Sequence, residues 1–587
     1  MAMVNLTLNG QKVTAPAGST VLDAARLAEV DIPTLCDHPA LDPIGACRMC
    51  LVEIKGQRNL QPACTFPISE GMEVQTESEK AADARKFVLD LLFSERNHYC
   101  MYCEMTGDCE LQALGYRYKL DHWVYPTYTK RFPVDATRTY FLMDHNRCIL
   151  CRRCVRACSQ LVANHTLGVR QRGAESMIQA DMNVPFGDSS CVSCGTCLQV
   201  CPTGALVDKR SAFMGRDVET EHMKSTCSQC SVGCGMEVVT RAGNVLRVEG
   251  DWDAPVNGGL LCEAGRFEPL YDERERVTKP LVRKKGKGEE VDWDTALQAA
   301  AEGMEGQKKP ALLVSTSATN EAMYLLAKVF GTSNVGLTNS VAPVIADSQG
   351  ALSDIEESDI ILVVGADPVD EQPVISFLVK RTIDKGARLI LVDGKDNGLA
   401  PFAFKEFGLG EVSTAVEMAQ RAESPVVLYG AGITDKAAAA LKKLSGKASF
   451  VAIQPGVNTH AAVALGLNNG ATPTGKALLV LAGEQDLDAA AVKAIGEDVF
   501  VVAQASYESP LTARADVVLP AAIWSERKGT FTNTEGRIQK ANRAVEPRGE
   551  AKPDWEILSL LAAKMDTKLS GSFDDISAQA AKAIRSA

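Results

Sequence analysis

All nineteen cysteines of this 587-residue chain lie between Cys36 and Cys262, in groups separated mostly by two or three residues. A loop that returns thiolates at C-x2-C spacing can hold metal from a few turns of backbone, whereas cysteines used as small core residues scatter along a sequence. The part of the chain that carries them therefore has to fold around metal–thiolate sites of the iron–sulfur kind. The cysteine-free remainder has only apolar burial to fold on. The chemistry this predicts is electron transfer.

Composition narrows the setting. With 46% hydrophobic and 23% charged residues the chain reads as an ordinary globular protein of several domains, and a net charge of -12 argues against nucleic acid or an anionic membrane surface as partner. No run of about 18 apolar residues is available to span a bilayer. The opening Met1-Ala2-Met3-Val4-Asn5 has no basic region and no apolar stretch, so the expected location is a reducing cytoplasm, with any membrane contact peripheral and made through other subunits.

Residues 4–8 alternate apolar and polar, Asn9-Gly10 reads as a turn and residues 13–15 as a returning strand, with a short helix over 21–28. Cys36, Cys47, Cys50 and Cys64 follow as C-x10-C-x2-C-x13-C. Four thiolates on one loop system suit a 2Fe-2S cluster; zinc is the competing metal. With its β-grasp-like start, this segment resembles the plant-type ferredoxin module. Residues 79–95 read as a helix with Phe87, Val88, Leu91 and Leu92 on its apolar side. Cys100, Cys103 and Cys109 come next, one ligand short of a 4Fe-4S site. His98 is the candidate fourth ligand, with His122 or a supporting role for His98 as the alternatives.

A duplicated C-x2-C-x2-C-x3-C run then places Cys148, Cys151, Cys154 and Cys158 before Cys191, Cys194, Cys197 and Cys201. The run is similar to that of two-cluster bacterial ferredoxins, in which the fourth cysteine binds the other cluster. That resemblance assigns one 4Fe-4S cluster to Cys148, Cys151, Cys154 and Cys201 and another to Cys191, Cys194, Cys197 and Cys158. Finally Cys227, Cys230, Cys234 and Cys262 form C-x2-C-x3-C-x27-C among short strands at 238–240 and 245–248. A zinc ribbon competes there, but the spacing resembles the 4Fe-4S domain that opens molybdopterin oxidoreductases.

Taken in order, the sites resemble the 75-kDa-type iron–sulfur subunit of complex I. The late segment from Val518-Leu519-Pro520 through Gly529-Thr530-Phe531-Thr532-Asn533-Thr534-Glu535-Gly536-Arg537 carries the likeness further. The domains this implies are 1–78 (2Fe-2S ferredoxin-like, β-grasp), 79–140 (helical, histidine plus three cysteines), 141–215 (two-cluster ferredoxin), 220–275 (4Fe-4S) and 276–587. The last is a truncated molybdopterin-oxidoreductase-like α/β region. One departure is that only Tyr99 separates His98 from Cys100, where complex I subunits place three residues. That spacing is closer to subunits of soluble NAD-linked, electron-bifurcating hydrogenases. The implied partners are a flavin- and NAD(P)-binding subunit, a small 2Fe-2S subunit, and a hydrogenase, quinone-module or other redox subunit. The implied function is an electron relay between them, and no catalytic residue is assigned to this chain.

Beyond residue 290, buried runs at 312–314, 360–364, 389–392, 426–429, 478–481 and 499–502 read as parallel strands covered on both faces. Gly365-Ala366-Asp367-Pro368 stands at a strand end and resembles the pterin-dinucleotide loop of molybdenum enzymes. Four features oppose such a cofactor: no cysteine follows Cys262, Ala264 stands where formate dehydrogenases place a lysine, Asp393-Gly394-Lys395 replaces Asp-Pro-Arg, and little chain follows Arg537. A catalytic, formate dehydrogenase-like molybdopterin subunit is nevertheless the alternative. An iron-only hydrogenase would need further cysteines. Gly430-Ala431-Gly432 has Asp435 in place of the third glycine of a nucleotide loop, and reads as a plain strand-to-helix turn.

Overall fold

Leu6 and Leu8 point inward while Asn5 and Thr7 alternate outward, and this period-two pattern fixes the first hairpin, Met3–Leu8 against Gln11–Pro16. Its turn uses positive φ at both Asn9 (51°) and Gly10 (86°), as a tight primed turn requires. The computed structural model describes residues 2–586 except 97, 127–130, 285–286, 305–309, 346–348, 469–474, 568 and 570. It divides into two compact units, Met1–Thr220 and Glu221–Ala587. Among the described residues no helix is long and apolar enough to cross a membrane.

In the first unit the hairpin extends into a five-stranded sheet through the parallel strand Met72–Gln75 and then Leu51–Ile54 and Gln61–Pro62. The helix Val21–Leu27 packs on it, started by a capping box between Thr20 and Asp23 that contributes about 1 kcal/mol. The helix Glu79–Glu95 has the expected ends, but its buried face differs from the expected one. Ala81, Arg85, Leu89 and Phe93 face inward at intervals of four, Val88 and Leu92 are half-buried, and Phe87 and Leu91 are 51% and 41% exposed. The face turned because Arg85 is a core residue: its guanidinium donates to Leu51 O at 2.7 Å and to Glu77 Oε1 and the Tyr118 hydroxyl, both at 2.9 Å. A hydrophobicity pattern assigns arginine to solvent and so mislocates the stripe.

The second unit begins with an antiparallel sheet, Glu221–Thr226, Gly235–Arg241 and Asn244–Gly250. The α/β part contains two sheets rather than the single region expected. Ala311–Val314 and Val335–Leu337 start a seven-stranded sheet; the chain then leaves to build an all-parallel five-stranded sheet of Ile360–Val364, Arg388–Val392, Lys405–Phe407, Pro425–Tyr429 and Ser449–Ala452. It returns with Ala477–Gly483, Phe500–Ala505 and Val517–Pro520, parallel to the first strands, while Leu281–Lys284 and Lys287–Glu290 finish the edge antiparallel. Leu312, Val314, Leu479, Leu481 and Val502 are at most 2% exposed under the helices Trp293–Met304, Asn320–Phe330 and Asp554–Lys564. Each such side chain contributes about 1.5–3 kcal/mol.

Candidate metal centres

In the first unit Cys36, Cys47, Cys50 and Cys64 come together on a loop bent by positive φ at Gly45 (63°) and Arg48 (61°). The Cys36 N–H donates to Cys47 Sγ at 3.3 Å, the Cys47 N–H donates to Cys36 Sγ at 3.4 Å, and Cys50 Sγ lies 3.4 Å from Cys64 Sγ. Each sulfur pair divides its protons unequally: contact with Cys47 brings Cys36 down to about 6 and contact with Cys50 lowers Cys64, while Cys47 and Cys50 are pushed up. Metal binding has to expel the remaining protons, so loading of this site is pH-dependent.

His98, Cys100, Cys103 and Cys109 line one cavity. Phe93 packs edge-on against the His98 ring at 5.5 Å, the Leu92 backbone engages that ring by a hydrogen bond, and Nε2 is buried with no hydrogen-bond partner. Burial brings the imidazole down to about 4, so it is neutral at physiological pH with a lone pair to offer. His122 is exposed and paired with Asp121 at 2.6 Å, away from this cavity.

The repeated runs share a backbone as well as a spacing. Leu150 and Arg152 (φ 53° and 59°) in the first correspond to Ser193 and Gly195 (φ 50° and 70°) in the second, and each run enters a one-turn helix from its left-handed residue. These left-handed residues bring backbone N–H groups to the sulfurs: the Leu150 N–H donates to Cys148 Sγ at 3.4 Å, and the Arg153 and Ser193 backbones engage Cys151 and Cys191. Cys201 joins Cys148, Cys151 and Cys154 around one cavity. Cys158 interacts electrostatically with Cys194, and Cys191 and Cys197 with both. The crossed sets are thus the ones brought together. Burial raises Cys148 to about 11 and Cys109 and Cys191 to about 12, so without metal these are neutral thiols.

In the second unit burial raises all four of Cys227, Cys230, Cys234 and Cys262, Cys227 to about 12, and the charge of Cys262 adds to the rise at the other three. The loop between them is fastened by residues that the spacing did not reveal. Asn533 Nδ2 donates to Val232 O at 3.1 Å, the Thr534 N–H to Ser231 O at 2.8 Å and Gln539 Nε2 to Gly233 O at 2.8 Å. Gln372 Nε2 reaches Ser231 Oγ at 2.7 Å and Ser317 Oγ reaches Ser228 O at 3.1 Å. The late Gly529–Arg537 segment is therefore a bracket for the cysteine loop. Among the described residues no three Cys, His, Asp or Glu side chains converge as one ion would require. A four-iron cube holds its thiolates farther apart than one ion does, and four all-thiol sets plus one of three thiols and a neutral imidazole fit 2Fe-2S and 4Fe-4S groups chemically.

A pterin dinucleotide fits less well. A cavity of about 520 Å³ opens at the ends of the strands Ala311–Val314 and Ala477–Gly483, beside Ser228 and Gln229. Five carboxylates line it, Glu268, Asp272, Glu273, Glu484 and Asp554, against two arginines, of which Arg274 is neutralised by Asp272 at 2.7 Å and Asp486 at 3.0 Å. Burial raises the pKa of both Glu484 and Asp554, and the Asp554 charge adds to the rise at Glu484. A pyrophosphate would meet like charge. In the five-stranded sheet the Gly365 loop is covered by its neighbour: a Cβ on Gly430 would stand 2.5 Å from Gly365 O, and the Gly432 N–H donates to that same oxygen at 3.2 Å. The glycines of Gly430-Ala431-Gly432 serve that close approach.

Five family profiles match the chain in sequence: 2Fe-2S iron-sulfur cluster binding domain over residues 1–79, NADH-ubiquinone oxidoreductase-G iron-sulfur binding region over 85–123, 4Fe-4S dicluster domain over 147–205, Molybdopterin oxidoreductase Fe4S4 domain over 220–270, and Molybdopterin oxidoreductase over 276–564. Among solved structures, a chain of an NAD+-reducing [NiFe]-hydrogenase in the H2-reduced state is 34% identical, with 37% of this chain and 92% of that one covered and a TM-score of 0.34. The mitochondrial NADH-ubiquinone oxidoreductase 78 kDa subunit of Candida albicans is 30% identical over 98% of this chain and 84% of its own. NADH-quinone oxidoreductase subunit 3 of Thermus thermophilus is 30% identical over 95% and 82%. Identity at that level across nearly the whole of this chain and more than four fifths of each relative means that this protein belongs to the family of 78 kDa-type iron–sulfur subunits of NADH–quinone oxidoreductases, which carry out electron transfer.

Proposed function

We propose that the chain is the electron-relay subunit of a multisubunit NAD(P)H-linked oxidoreductase. It would carry single electrons between a flavin- and NAD(P)-binding subunit and a partner redox subunit, in a soluble, electron-bifurcating hydrogenase-type complex or a complex I-type one. The ligand sets are the five named above, with His98 as the non-thiol ligand. Bound clusters would supply reversible one-electron transfer, as flavin does on its single-electron side.

The observation that carries this reading is the wall between two of the sites. Thr203 lines both the cavity of His98, Cys100, Cys103 and Cys109 and that of Cys148, Cys151, Cys154 and Cys201. Cys109 Sγ lies 3.6 Å from Pro202 O, one residue from Cys201, and a Cβ on Gly204 would stand 2.8 Å from Cys103 Sγ. A short stretch of main chain thus separates two ligand sets, as a relay needs and independent metal sites do not. The chain's own residues hold the thiolates, keep the sites dry and fix the imidazole.

The match to molybdopterin oxidoreductases over residues 276–564 supports a second reading, a catalytic pterin subunit. The acidic cavity and the filled Gly365 loop weigh against it. Elemental and cofactor analysis of the purified protein separates the two. The relay predicts about eighteen irons per chain, from one 2Fe-2S and four 4Fe-4S clusters, with neither molybdenum, tungsten nor releasable pterin. Stoichiometric molybdenum or tungsten with pterin would make the α/β region a catalytic site and overturn the relay-only reading.

A further inference from the structure

Arg147 sits at the wall just described. Its Nη1 donates to Cys103 Sγ at 3.3 Å, Nη2 to Tyr102 O at 3.4 Å, and its carbonyl accepts from the Thr203 hydroxyl at 2.8 Å. Glu104, whose side chain is 8% exposed, and Asp144, 3.3 Å from Nε, hold the guanidinium in place. At Cys36, Cys47 and Cys148 the sulfur accepts from a backbone N–H; Cys103 accepts from the Met105 backbone as well and, in addition, from a cation.

We propose that Arg147 sets the reduction potential of the centre held by His98, Cys100, Cys103 and Cys109, through the charged N–H it aims at Cys103 Sγ. The proposal rests on the ligand set given above. Reduction adds negative charge that is shared with the ligand sulfurs, and a charge-assisted donor at one of them stabilises the reduced state more than the oxidised one. The neutral imidazole of His98 biases the site in the same direction, since it replaces a thiolate charge. Glu104, 2.5 Å from the same Nη1, and Asp144 offset part of the cation's charge. They leave the guanidinium N–H itself directed at the sulfur, at 3.3 Å. Arg147 is a positioning residue: it would tune a centre it does not ligate.

The test is a redox titration followed by electron paramagnetic resonance on the cluster-loaded protein, with the relevant signal identified as the one lost in Cys103→Ser. Arg147→Met is expected to make that centre about tenfold harder to reduce, a fall of about 59 mV for a one-electron couple, with the other signals unmoved. Arg147→Lys, which keeps the charge and loses the fork, is expected to restore part of the difference. An unmoved Cys103 signal overturns the proposal, as does an equal shift of all signals, which would mean general loosening. Should the methionine variant lose the centre, the lysine variant decides alone: a selective downward shift supports the proposal and none overturns it. His98→Cys tests the ligand set separately, since an unchanged spectrum there removes His98 and leaves the Arg147 result standing.

Discussion

The two units solve the same problem in opposite directions. In Met1–Thr220 the segments that bear cysteines are loops and one-turn helices, the core beside the His98 site is as small as Leu35, Met49, Leu89, Phe93 and Leu111, and buried arginines tie loop to loop. Arg96 donates to His145 O at 2.6 Å and Ser176 O at 2.5 Å, Arg153 forks onto Glu110 at 2.5 and 2.8 Å, and Arg156 bonds the Cys36 and Asp42 carbonyls. In Glu221–Ala587 large parallel sheets are already packed, and a single cysteine loop is clipped onto them by Asn533, Thr534 and Gln539. Around the His98 site and the duplicated runs a bound metal would have to organise the chain, beside a ferredoxin-like sheet with its own apolar core; in the second unit the fold organises the metal site.

Removing iron should give the largest contrast. A metal that acts as a folding ligand is worth on the order of 10 kcal/mol, so chelation is expected to expose the first unit to limited proteolysis while the sheets of the second stay protected. Simultaneous digestion of both units would break the comparison. Next in size is Leu479→Ala, at a fully buried position in the seven-stranded sheet, expected to cost about 2–5 kcal/mol of unfolding free energy. Its effect should appear in the melting of the second unit, with the spectroscopic signals of the first unchanged.

Asn533→Ala should cost less, about 1–3 kcal/mol, because it strips a buried partner from Val232 O and from the N–H groups of Glu535 and Arg537. Electron paramagnetic resonance should show the Cys227 centre altered and the others intact; loss of a first-unit signal instead would contradict the bracket. The smallest effect is electrostatic. Burial lowers the pKa of His460 below its unfolded value, so its contribution is whole above about pH 6.5 and declines as pH falls through the folded pKa. His460→Gln is expected to remove part of the acid sensitivity, read as a narrower difference in unit-two melting between pH 7 and pH 5.

The cysteine sets were legible because thiol spacing encodes loop length directly, and the strand runs because buried parallel strands are continuously apolar. Sequence offers His98 only through its proximity to Cys100; its place on the cavity wall and its buried, unpartnered Nε2 emerge from the fold. What could not be read was anything carried by polar residues acting as core. Arg85 turns the face of a helix, and Arg147, Arg153 and Arg156 stand within and beside a cysteine run whose spacing carries no sign of what a cation holds there. The strand Glu221–Thr226 has no buried residue before Ser225, and so carried no apolar signal. The two-sheet arrangement was hidden for another reason: strand sequences state that they pair, and only closure of the chain states with which partner.

That closure constrains synthesis. The strand Ala311–Val314 pairs with Ala477–Gly483, yet the whole five-stranded sheet is encoded between them. At about 5–20 residues per second, the ribosome leaves the first strand waiting on the order of ten seconds for its neighbour. Its edge, apolar through Leu312 and Val314, has to be shielded over that interval by the early helices or by a chaperone, whereas the inserted sheet has all its strands in hand and can form first.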